Sequence, residues 1–236
     1  METSRVQAFN TLQIWFHKHI IHFMVLFILS GLPILSHAFD WIAYVFGVPV
    51  SFFGQQQPYE AIVAGGVQTA RVLHRVAALL FFLTAIPFSL GQLMHVREWH
   101  IWPERYSLSG AWDGVRELIR CYVFFQPPRF GKYNIGQKAL AWFMILAMLL
   151  LSLSGFVLWF RDSFSPAIWS FSRFVHDTVF LLTALALIVH VYLGTHPINR
   201  ESLRAMFGNG EMDLEFIRHH HPLWYEKLIK KGGQTT

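Results

Sequence analysis

Cysteine and charged side chains are both scarce in this 236-residue sequence. Cys121 is the single cysteine, so no disulfide can form within the chain, and no Cys-x-x-Cys run could hold an iron–sulfur cluster or a thiolate zinc site. Any such centre would have to belong to a partner. Only 14% of the residues are charged, whereas 54% are hydrophobic and 17% aromatic, and the mean hydropathy is +0.38. This composition argues against a water-soluble domain and indicates a membrane protein.

The basic isoelectric point of about 9.5 could suggest a nucleic-acid partner. The Lys and Arg residues are not gathered on one soluble face, however, and membrane orientation explains them better. We therefore expect no nucleic-acid partner. The N-terminus lacks the short apolar segment and small-residue cleavage site of a secretory signal, so we expect residue 1 to belong to the mature chain.

Four apolar stretches reach the roughly 20 residues that cross a ~30 Å hydrocarbon core. They are residues 15–36, 72–94, 138–160 and 174–195. The sequence therefore predicts an all-α integral membrane protein, a four-transmembrane-helix bundle that forms one domain over residues 1–236, with a tail at 196–236. Glycines and prolines interrupt residues 40–59, which we expect to lie on the membrane surface.

The distribution of Lys and Arg predicts the orientation. With four spans both termini lie on one side, and that side, which includes the 95–137 loop, holds fifteen basic residues against four on the other. The positive-inside rule makes the richer side cytoplasmic, in a bacterial cytoplasmic membrane. Residues 99–133 are basic and aromatic, typical of a structured docking loop, with a simple solvated loop as the alternative. The fifteen are Arg5, Lys18, Arg97, Arg105, Arg116, Arg120, Arg129, Lys132, Lys138, Arg200, Arg204, Arg218, Lys227, Lys230 and Lys231, and the four are Arg71, Arg75, Arg161 and Arg173.

Two histidines in the fourth span are the strongest functional signal. Ionisable groups inside a membrane are costly and by default functional. His176 and His190 are 14 residues apart, which places them on one helix face within about 40° and about 21 Å apart along the axis. Each could be an axial ligand of a haem iron, with the two haems stacked across the bilayer.

Each iron then needs a second ligand at the same depth. His74 begins the second span on the outer side, where the fourth span begins with His176. His190 lies near the inner end, where the first span offers His17, His19 and His22. The alternative for any one of these histidines is an interhelical hydrogen bond, but the matched depths favour ligation.

The remaining histidines lie at span ends, in loops or in the tail. We expect interfacial roles for His37, His95, His100 and His196. The run from His219 to His221 could bind a metal, but its place in a tail predicted to be exposed favours no metal.

The segment 132–138, Lys-Tyr-Asn-Ile-Gly-Gln-Lys, and the tail 220–225, His-His-Pro-Leu-Trp-Tyr, complete a pattern with these histidines. The chain resembles the gamma, cytochrome b556, subunits of membrane-bound respiratory formate dehydrogenases from about residue 9 to 227. It is more diffusely similar to the cytochrome b subunits of nickel–iron hydrogenases and thiosulfate reductases.

The resemblance implies two b haems. The outer one would be ligated by His74 and His176, and the inner one by His190 and a histidine of the first helix. In the family the first-helix ligand lies eight residues after the Phe of a Phe-Asn pair, and a Ser/Thr-Gly pair follows with its Gly fourteen residues after the ligand. Phe9-Asn10, His17 and Ser30-Gly31 fit both intervals. His17 is therefore the expected ligand, with the deeper His22 as the alternative. Lys18 stands where the family commonly has Trp.

The resemblance also implies a quinone, menaquinone or ubiquinone, beside the inner haem. The matching residues are Asn134, Gly136 and Gln137, whose amides could hydrogen-bond the quinone carbonyls. The alternative is that Asn134 and Gly136 only cap the third helix. Both roles are compatible.

Taken together, the pattern predicts an electron-transfer subunit without catalytic residues of its own. The resemblance implies that it carries electrons from an iron–sulfur beta subunit, and through it from a molybdenum or tungsten catalytic alpha subunit, across two haems to a quinone. The alternatives are a hydrogenase or thiosulfate reductase cytochrome b, a haem-free transporter that relays protons through its histidines, and a structural anchor.

Overall fold

The computed structural model of the protein describes residues 4–51, 57–96, 99–103, 105–127 and 129–232, without the side chains of residues 50, 231 and 232. Part of the predicted surface segment 40–59, Arg97 and the side chain of Lys231 therefore lie outside the described residues.

The described residues form long helices with two short strands. The elements in chain order are β1 (Arg5–Gln7), α1 (Thr11–Leu35), α2 (Asp40–Ser51), α3 (Tyr59–Leu93), α4 (Leu108–Tyr122), α5 (Ile135–Trp159), α6 (Pro166–Thr195), α7 (Arg200–Phe207), β2 (Glu211–Asp213), α8 (Leu214–His220) and α9 (Pro222–Gly232).

Four helices within these ranges, α1, α3, α5 and α6, are long and apolar enough to cross a membrane, which confirms the predicted spans. Each begins before its predicted start, by as much as thirteen residues at Tyr59 of α3. Hydropathy marks only the part of a helix that suits lipid, while backbone hydrogen bonding continues through flanking polar residues such as Glu60 and Gln68. The 35 residues of α3 extend over about 52 Å, well beyond a ~30 Å core.

The two helices α1 and α5 begin in the same way. Asn10 precedes α1, and its side-chain oxygen accepts from the backbone N–H of Gln13 at 2.8 Å, while the Gln13 side chain accepts from Asn10 N–H at 3.1 Å. Asn134 and Gln137 form the same reciprocal pair at α5, at 2.9 and 3.0 Å. These capping boxes satisfy backbone donors that a helix start leaves unpaired.

The chain divides into two compact units, of which the first is Asn10–Val96. Here α1 packs on α3 through aromatic rings: Phe16 stacks on Phe88 with ring centroids 3.9 Å apart, and Phe23 meets Phe81 edge to face. The helix α2 lies against α3 at two glycines. A side chain at Gly47 would overlap the carbonyl of Ile62, and one at Gly66 would overlap the carbonyl of Ala43. The two backbones are therefore in direct contact. That α2 lies on the membrane surface stays a prediction.

The second unit comprises Met1–Phe9 and Arg97–Thr236. β1 pairs antiparallel with β2, with Val6 opposite Met212, and α5 packs on α6. The tail was predicted to be exposed, and this is wrong for its middle part. His221 and Trp224 are buried, and Leu223 N–H donates to the carbonyl of Phe130 at 3.2 Å. Sequence hydropathy misses this because the tail folds back on polar and aromatic partners rather than on an apolar core.

The glycine contact between α2 and α3 predicts a position-specific effect. Replacing Gly66 by Ala should destabilise the protein by about 1–3 kcal/mol, because the new methyl group meets backbone that cannot rotate away. Unfolding in detergent, followed by circular dichroism, measures the loss. The neighbouring Gly65 has nothing within 4 Å of an added Cβ and serves as the matched control. Gly65→Ala should be neutral or slightly stabilising, since alanine favours helix. Equal unfolding midpoints for the two variants would contradict close packing at Gly66.

Candidate functional site

His74, in α3, contacts a serine–glycine pair of α1, Ser30 and Gly31, which we call its seat. The hydroxyl of Ser30 is 2.9 Å from His74 Nδ1 and donates to the carbonyl of Leu26 at 2.6 Å. The next residue is Gly31, where an added Cβ would lie 3.6 Å from His74 Cε1. The ring of Phe27 meets the imidazole edge to face at 5.2 Å. The imidazole is thus positioned by a hydroxyl on one nitrogen and by bare backbone beside its ring.

His176, in α6, lies in the same kind of seat supplied by α5. The hydroxyl of Ser154 is 3.0 Å from His176 Nδ1 and 2.6 Å from the carbonyl of Leu150. Gly155 follows, and an added Cβ there would lie 3.2 Å from His176 Cε1. Both serines are buried. A metal-ligating histidine usually hydrogen-bonds an outer partner through its second ring nitrogen.

The two seats occupy equivalent places in their helices. α1 and α5 are both 25 residues long, and the serine is the twentieth residue of each. Asn10, Gln13, Ser30 and Gly31 correspond to residues 124 positions later: Asn134, Gln137, Ser154 and Gly155. Sequence reasoning used Ser30 and Gly31 only as a spacing marker and missed Ser154. A self-comparison of the chain at this offset would have found it.

His190 shares the unbroken helix α6 with His176. The continuity of the helix gives the 14-residue interval its expected rise of about 21 Å. Among the candidates in α1, His17 is half-buried, whereas His19 and His22 are exposed. The Nδ1 atoms of His19 and His22 lie 2.7 and 3.0 Å from carbonyls of their own helix, those of Trp15 and Lys18.

Within the described residues no group of three or more His, Cys, Asp or Glu side chains could hold a bare metal ion. A haem iron needs fewer protein ligands than a bare metal ion, because the porphyrin occupies four positions on the iron and leaves two axial positions for histidine. Single histidines in hydrogen-bonded seats therefore fit a haem better than a mononuclear metal site.

Asn134 and Gln137 line a narrow cleft at the start of α5 whose free volume is about 10 Å³, roughly the room for one water molecule. Its other lining residues are Tyr122, Phe130, Ile198, Asn199, His220 and His221. Gly136 is not among the lining residues, and an added Cβ there would lie 3.3 Å from Asn134 Oδ1. The structure thus brings two of the three sequence-predicted amide and glycine residues to one cleft, together with tail residues that sequence reasoning did not place there.

The capping alternative for Asn134 is confirmed, and its partner is Gln137. Both side-chain carbonyl oxygens accept hydrogen bonds from backbone N–H groups. The NH2 groups are therefore what these two side chains offer as donors to a molecule in the cleft. Capping therefore uses only the oxygen end of each amide.

The three consecutive tail histidines have separate partners. His221 Nδ1 lies 2.9 Å from the carbonyl of Gly131, His220 Nδ1 lies 3.2 Å from that of Phe216, and His219 Nε2 lies 2.9 Å from a Glu215 carboxylate oxygen. The three histidines therefore lie in two different places. His220 and His221 line the cleft, whereas His219 lies on the exposed face of α8.

Lys132 lies beside this cleft in an aromatic enclosure. Its Nζ is 5.4, 5.6 and 5.3 Å from the ring centroids of Phe9, Tyr133 and Trp224, and it donates to the carbonyl of Ala8. Burial lowers the pKa of Lys132 to about 8 and raises the pKa of Tyr133 to about 12. The ammonium group joins the N-terminal segment, the start of α5 and the tail through cation–π contacts.

Three of the histidines expected to have interfacial roles make contacts outside the histidine seats: His37 and His196 contact residues near them in the sequence, and His100 contacts the tail. His37 has a fully exposed side chain, 3.3 Å from a carboxylate oxygen of Asp40. His196 accepts from the backbone N–H of Ile198 at 3.3 Å, which caps the turn after α6. The ring of His100 lies 6.4 Å from that of Trp224.

Comparison with known proteins agrees with this geometry. The family model for prokaryotic cytochrome b561 matches residues 8–209. The chain is 25% identical over 211 residues to the formate dehydrogenase cytochrome b556(fdo) subunit of Escherichia coli (strain K12), covering 87% of this chain and 85% of that protein. It is 28% identical over 187 residues to the formate dehydrogenase cytochrome b556 subunit of Haemophilus influenzae, covering 77% and 74%. It is 22% identical over 217 residues to the nitrate-inducible cytochrome b556(Fdn) subunit of E. coli (strain K12), covering 91% and 87%.

The buried His221 predicts a pH-dependent docking of the tail. Burial is the main cause that lowers the pKa of His221 below its ordinary value. Docking is therefore fully stable above the undocked pKa of about 6.5, and it weakens as the pH falls from there through the lower docked pKa. Hydrogen exchange of the 223–230 amides, corrected for intrinsic rates, should accelerate by at most tenfold per pH unit between about pH 6.5 and 5, since one proton is linked.

A variant pair isolates His221 from the other tail histidines. His221→Gln keeps a donor for the Gly131 carbonyl but does not titrate, so its exchange should lose the pH dependence. His219→Gln, at an exposed position, should behave as the unmodified chain does. A pH dependence that survives in His221→Gln would assign the titration to another group.

Proposed function

This chain belongs to the prokaryotic cytochrome b561 family, and we propose that it is the dihaem cytochrome b subunit that anchors a formate dehydrogenase complex in the bacterial cytoplasmic membrane. The family is one of multi-pass membrane proteins that carry haem b, and the four apolar helices agree with it. The observation that carries the proposal is the placement of His176 and His190 fourteen residues apart on one continuous membrane helix.

The proposed outer haem has His74 and His176 as its axial ligands. With both termini on the cytoplasmic side, as the basic residues predict, and successive spans in opposite directions, α3 and α6 would both enter the membrane from the outer side. His74 and His176 come early in the apolar part of these two helices. The seats formed by Ser30 and Ser154 support the pairing, because both ligands have the same kind of hydrogen-bonded support. The bound haem supplies a one-electron couple, and the protein contributes ligands, spacing and a low dielectric.

The proposed inner haem has His17 and His190 as its ligands. The half-buried position of His17 supports it over His19 and His22, which are exposed. The Nδ1 atoms of the latter two are also engaged with backbone carbonyls of α1. His22 remains the alternative ligand, and the variants His17→Ala and His22→Ala decide between the two.

The proposed quinone site, for menaquinone or ubiquinone, is the cleft at the start of α5. Its support is the pair of NH2 groups from Asn134 and Gln137, which can donate to a quinone carbonyl while the capping box holds the amides still. Gly136 does not line the cleft, and its part in quinone binding rests on the resemblance alone. We place this cleft on the cytoplasmic side, with both termini, according to the distribution of basic residues.

The proposed partners are an iron–sulfur beta subunit and, through it, a molybdenum or tungsten alpha subunit that oxidises formate. The relatives named above are formate dehydrogenase subunits, which supports a multi-subunit complex of this kind. With a single cysteine, this chain has no means of holding an iron–sulfur wire itself. Electrons would pass from the partner to the outer haem, then to the inner haem and the quinone.

Hydrogenase and thiosulfate reductase complexes could use a cytochrome b with the same ligands. The subunits that co-purify with this chain distinguish these complexes from formate dehydrogenase. A haem-free transporter or a structural anchor is distinguished earlier, because neither would show the absorption spectrum of haem b.

The ligand assignment predicts the haem content of single variants. Replacing His74 or His176 by Ala should leave one haem per chain, and replacing His17 or His190 should remove the other haem, because each iron loses an axial ligand. A pyridine haemochrome assay against protein concentration measures the stoichiometry. The control is His37→Ala, at a fully exposed side chain outside the four long helices, which should retain both haems. If His22→Ala loses a haem and His17→Ala does not, the inner ligand is His22.

The quinone assignment predicts a selective kinetic defect. Asn134→Ser retains a good helix cap but removes the NH2 donor. The loss of one such hydrogen bond should cost about 0.5–1.5 kcal/mol, so reoxidation of the haems by a quinone analogue should slow by up to about tenfold. Haem reduction by the donor subunits should be unchanged.

The capping box at α1 provides a matched control for that variant. Asn10→Ser makes the same change in the same local structure, at an exposed position outside the cleft. It should leave both rates unaltered. A defect in haem reduction with normal reoxidation in Asn134→Ser would place the quinone elsewhere.

A further inference from the structure

We propose that Ser30 and Ser154 are positioning residues that hold His74 and His176 in the tautomer protonated on Nδ1, so that Nε2 is the nitrogen presented to iron. The inference deepens the proposed function and rests on it for the presence of the haem. Its physical basis is a count of the protons available at two hydrogen-bonded hydroxyls.

The Ser30 hydroxyl has a single proton. Its oxygen lies 2.6 Å from the carbonyl oxygen of Leu26, which can only accept, so the proton lies in that bond. Two acceptors without a proton between them would repel at such a separation. Towards His74 Nδ1, 2.9 Å away, the same oxygen must therefore be the acceptor. Nδ1 then carries the imidazole proton.

A neutral imidazole has only one N–H, so a proton on Nδ1 gives Nε2 the lone pair. The Leu26 carbonyl, through one hydroxyl, thereby decides which nitrogen of His74 can bind iron. The carbonyl is part of the α1 backbone, four residues before the serine, and its position is set by the helix itself. The tautomer is thus fixed by secondary structure rather than by a mobile side chain.

The second seat repeats the arrangement with different residues. The Ser154 hydroxyl is 2.6 Å from the Leu150 carbonyl oxygen and 3.0 Å from His176 Nδ1. The same proton count makes the oxygen an acceptor from Nδ1–H. Ser30 and Ser154 are both the twentieth residue of a 25-residue helix that begins with an Asn-x-x-Gln capping box. The recurrence in two separate helix pairs shows that the geometry belongs to a repeated unit of the chain.

The glycine after each serine completes the seat. A Cβ at Gly31 or Gly155 would lie 3.6 or 3.2 Å from Cε1 of the imidazole, and the shorter distance would require the ring to move. At Gly155 the bare backbone therefore lets the ring approach closely enough for the serine bond, whereas a Cβ at Gly31 would make ordinary van der Waals contact. Serine sets the proton position in both seats, and glycine is required for the approach only in the second.

The hydrogen bond from Nδ1–H to the hydroxyl makes Nε2 a stronger donor to iron. Ferric iron gains more from a stronger donor than ferrous iron does, so the bond lowers the reduction potential of the haem. Removing either hydroxyl should raise that potential and weaken retention of the haem, by about 10–100-fold for a typical outer ligand. Both serines act on the same haem, because His74 and His176 are its two proposed ligands.

The test is a redox titration of the purified complex with Ser30→Ala and Ser154→Ala, together with electron paramagnetic resonance of the ferric haems. Each variant should raise the midpoint potential of one haem and leave the other unchanged, and the haem affected should be the one that His74→Ala loses. Ser30→Thr and Ser154→Thr keep the hydroxyl and should restore the potential and the spectrum. Thr84→Val is the control, since it removes a hydroxyl in α3 that bonds the carbonyl of Phe81. It should change neither haem.

Unaltered potentials and spectra in both Ala variants would overturn the serine proposal while leaving haem ligation intact. If the Thr variants shift the potential and the spectrum as much as the Ala variants do, the shift comes from altered packing and not from the lost hydroxyl. That result would also overturn the serine proposal. If Ser30→Ala and Ser154→Ala shift different haems, the tautomer proposal stands but the pairing of His74 with His176 fails. If the unmodified chain binds no haem, the proposed function and the inference fail together.

Discussion

The absence of hydrogen-bonding solvent in a hydrocarbon core is the constraint on which the rest of this structure depends. Every backbone group must be paired within its own segment, so four long helices form. Polar side chains inside those helices must find partners there as well. Ser30 and Ser154 pair with a backbone carbonyl and an imidazole at once. A group that is costly to bury is thereby kept in one geometry, and the histidine next to it is kept in one orientation.

The correspondence between α1 and α5 shows how one helical design serves two purposes. Both helices start with the same capping box and carry the Ser-Gly seat at the same position. They differ in what surrounds their first turns. Asn10 is exposed, whereas Asn134 is buried beside Phe130 and the tail histidines. The same amide therefore only caps a helix in one place and can also face a small molecule in the other.

Burial around Lys132 and His221 explains why the tail is part of the site. The lysine ammonium is held by three aromatic rings and the carbonyl of Ala8, and the imidazole is held by the carbonyl of Gly131. Burial lowers the pKa of both groups. Of the two, His221 lines the cleft, so the cleft contains an imidazole that is harder to protonate than a solvated one.

The sequence by itself determined the four spans and the fourteen-residue interval of His176 and His190, because lipid solvation and helical periodicity act on neighbouring residues and can be read locally. It also pointed to Asn134 as a cap. Only the tertiary structure decided the burial of His221, the cleft beside Gln137 and the seat that Ser154 forms for His176. Each of these depends on a contact between residues far apart in the chain, and no local pattern encodes which distant backbone or ring a side chain will meet.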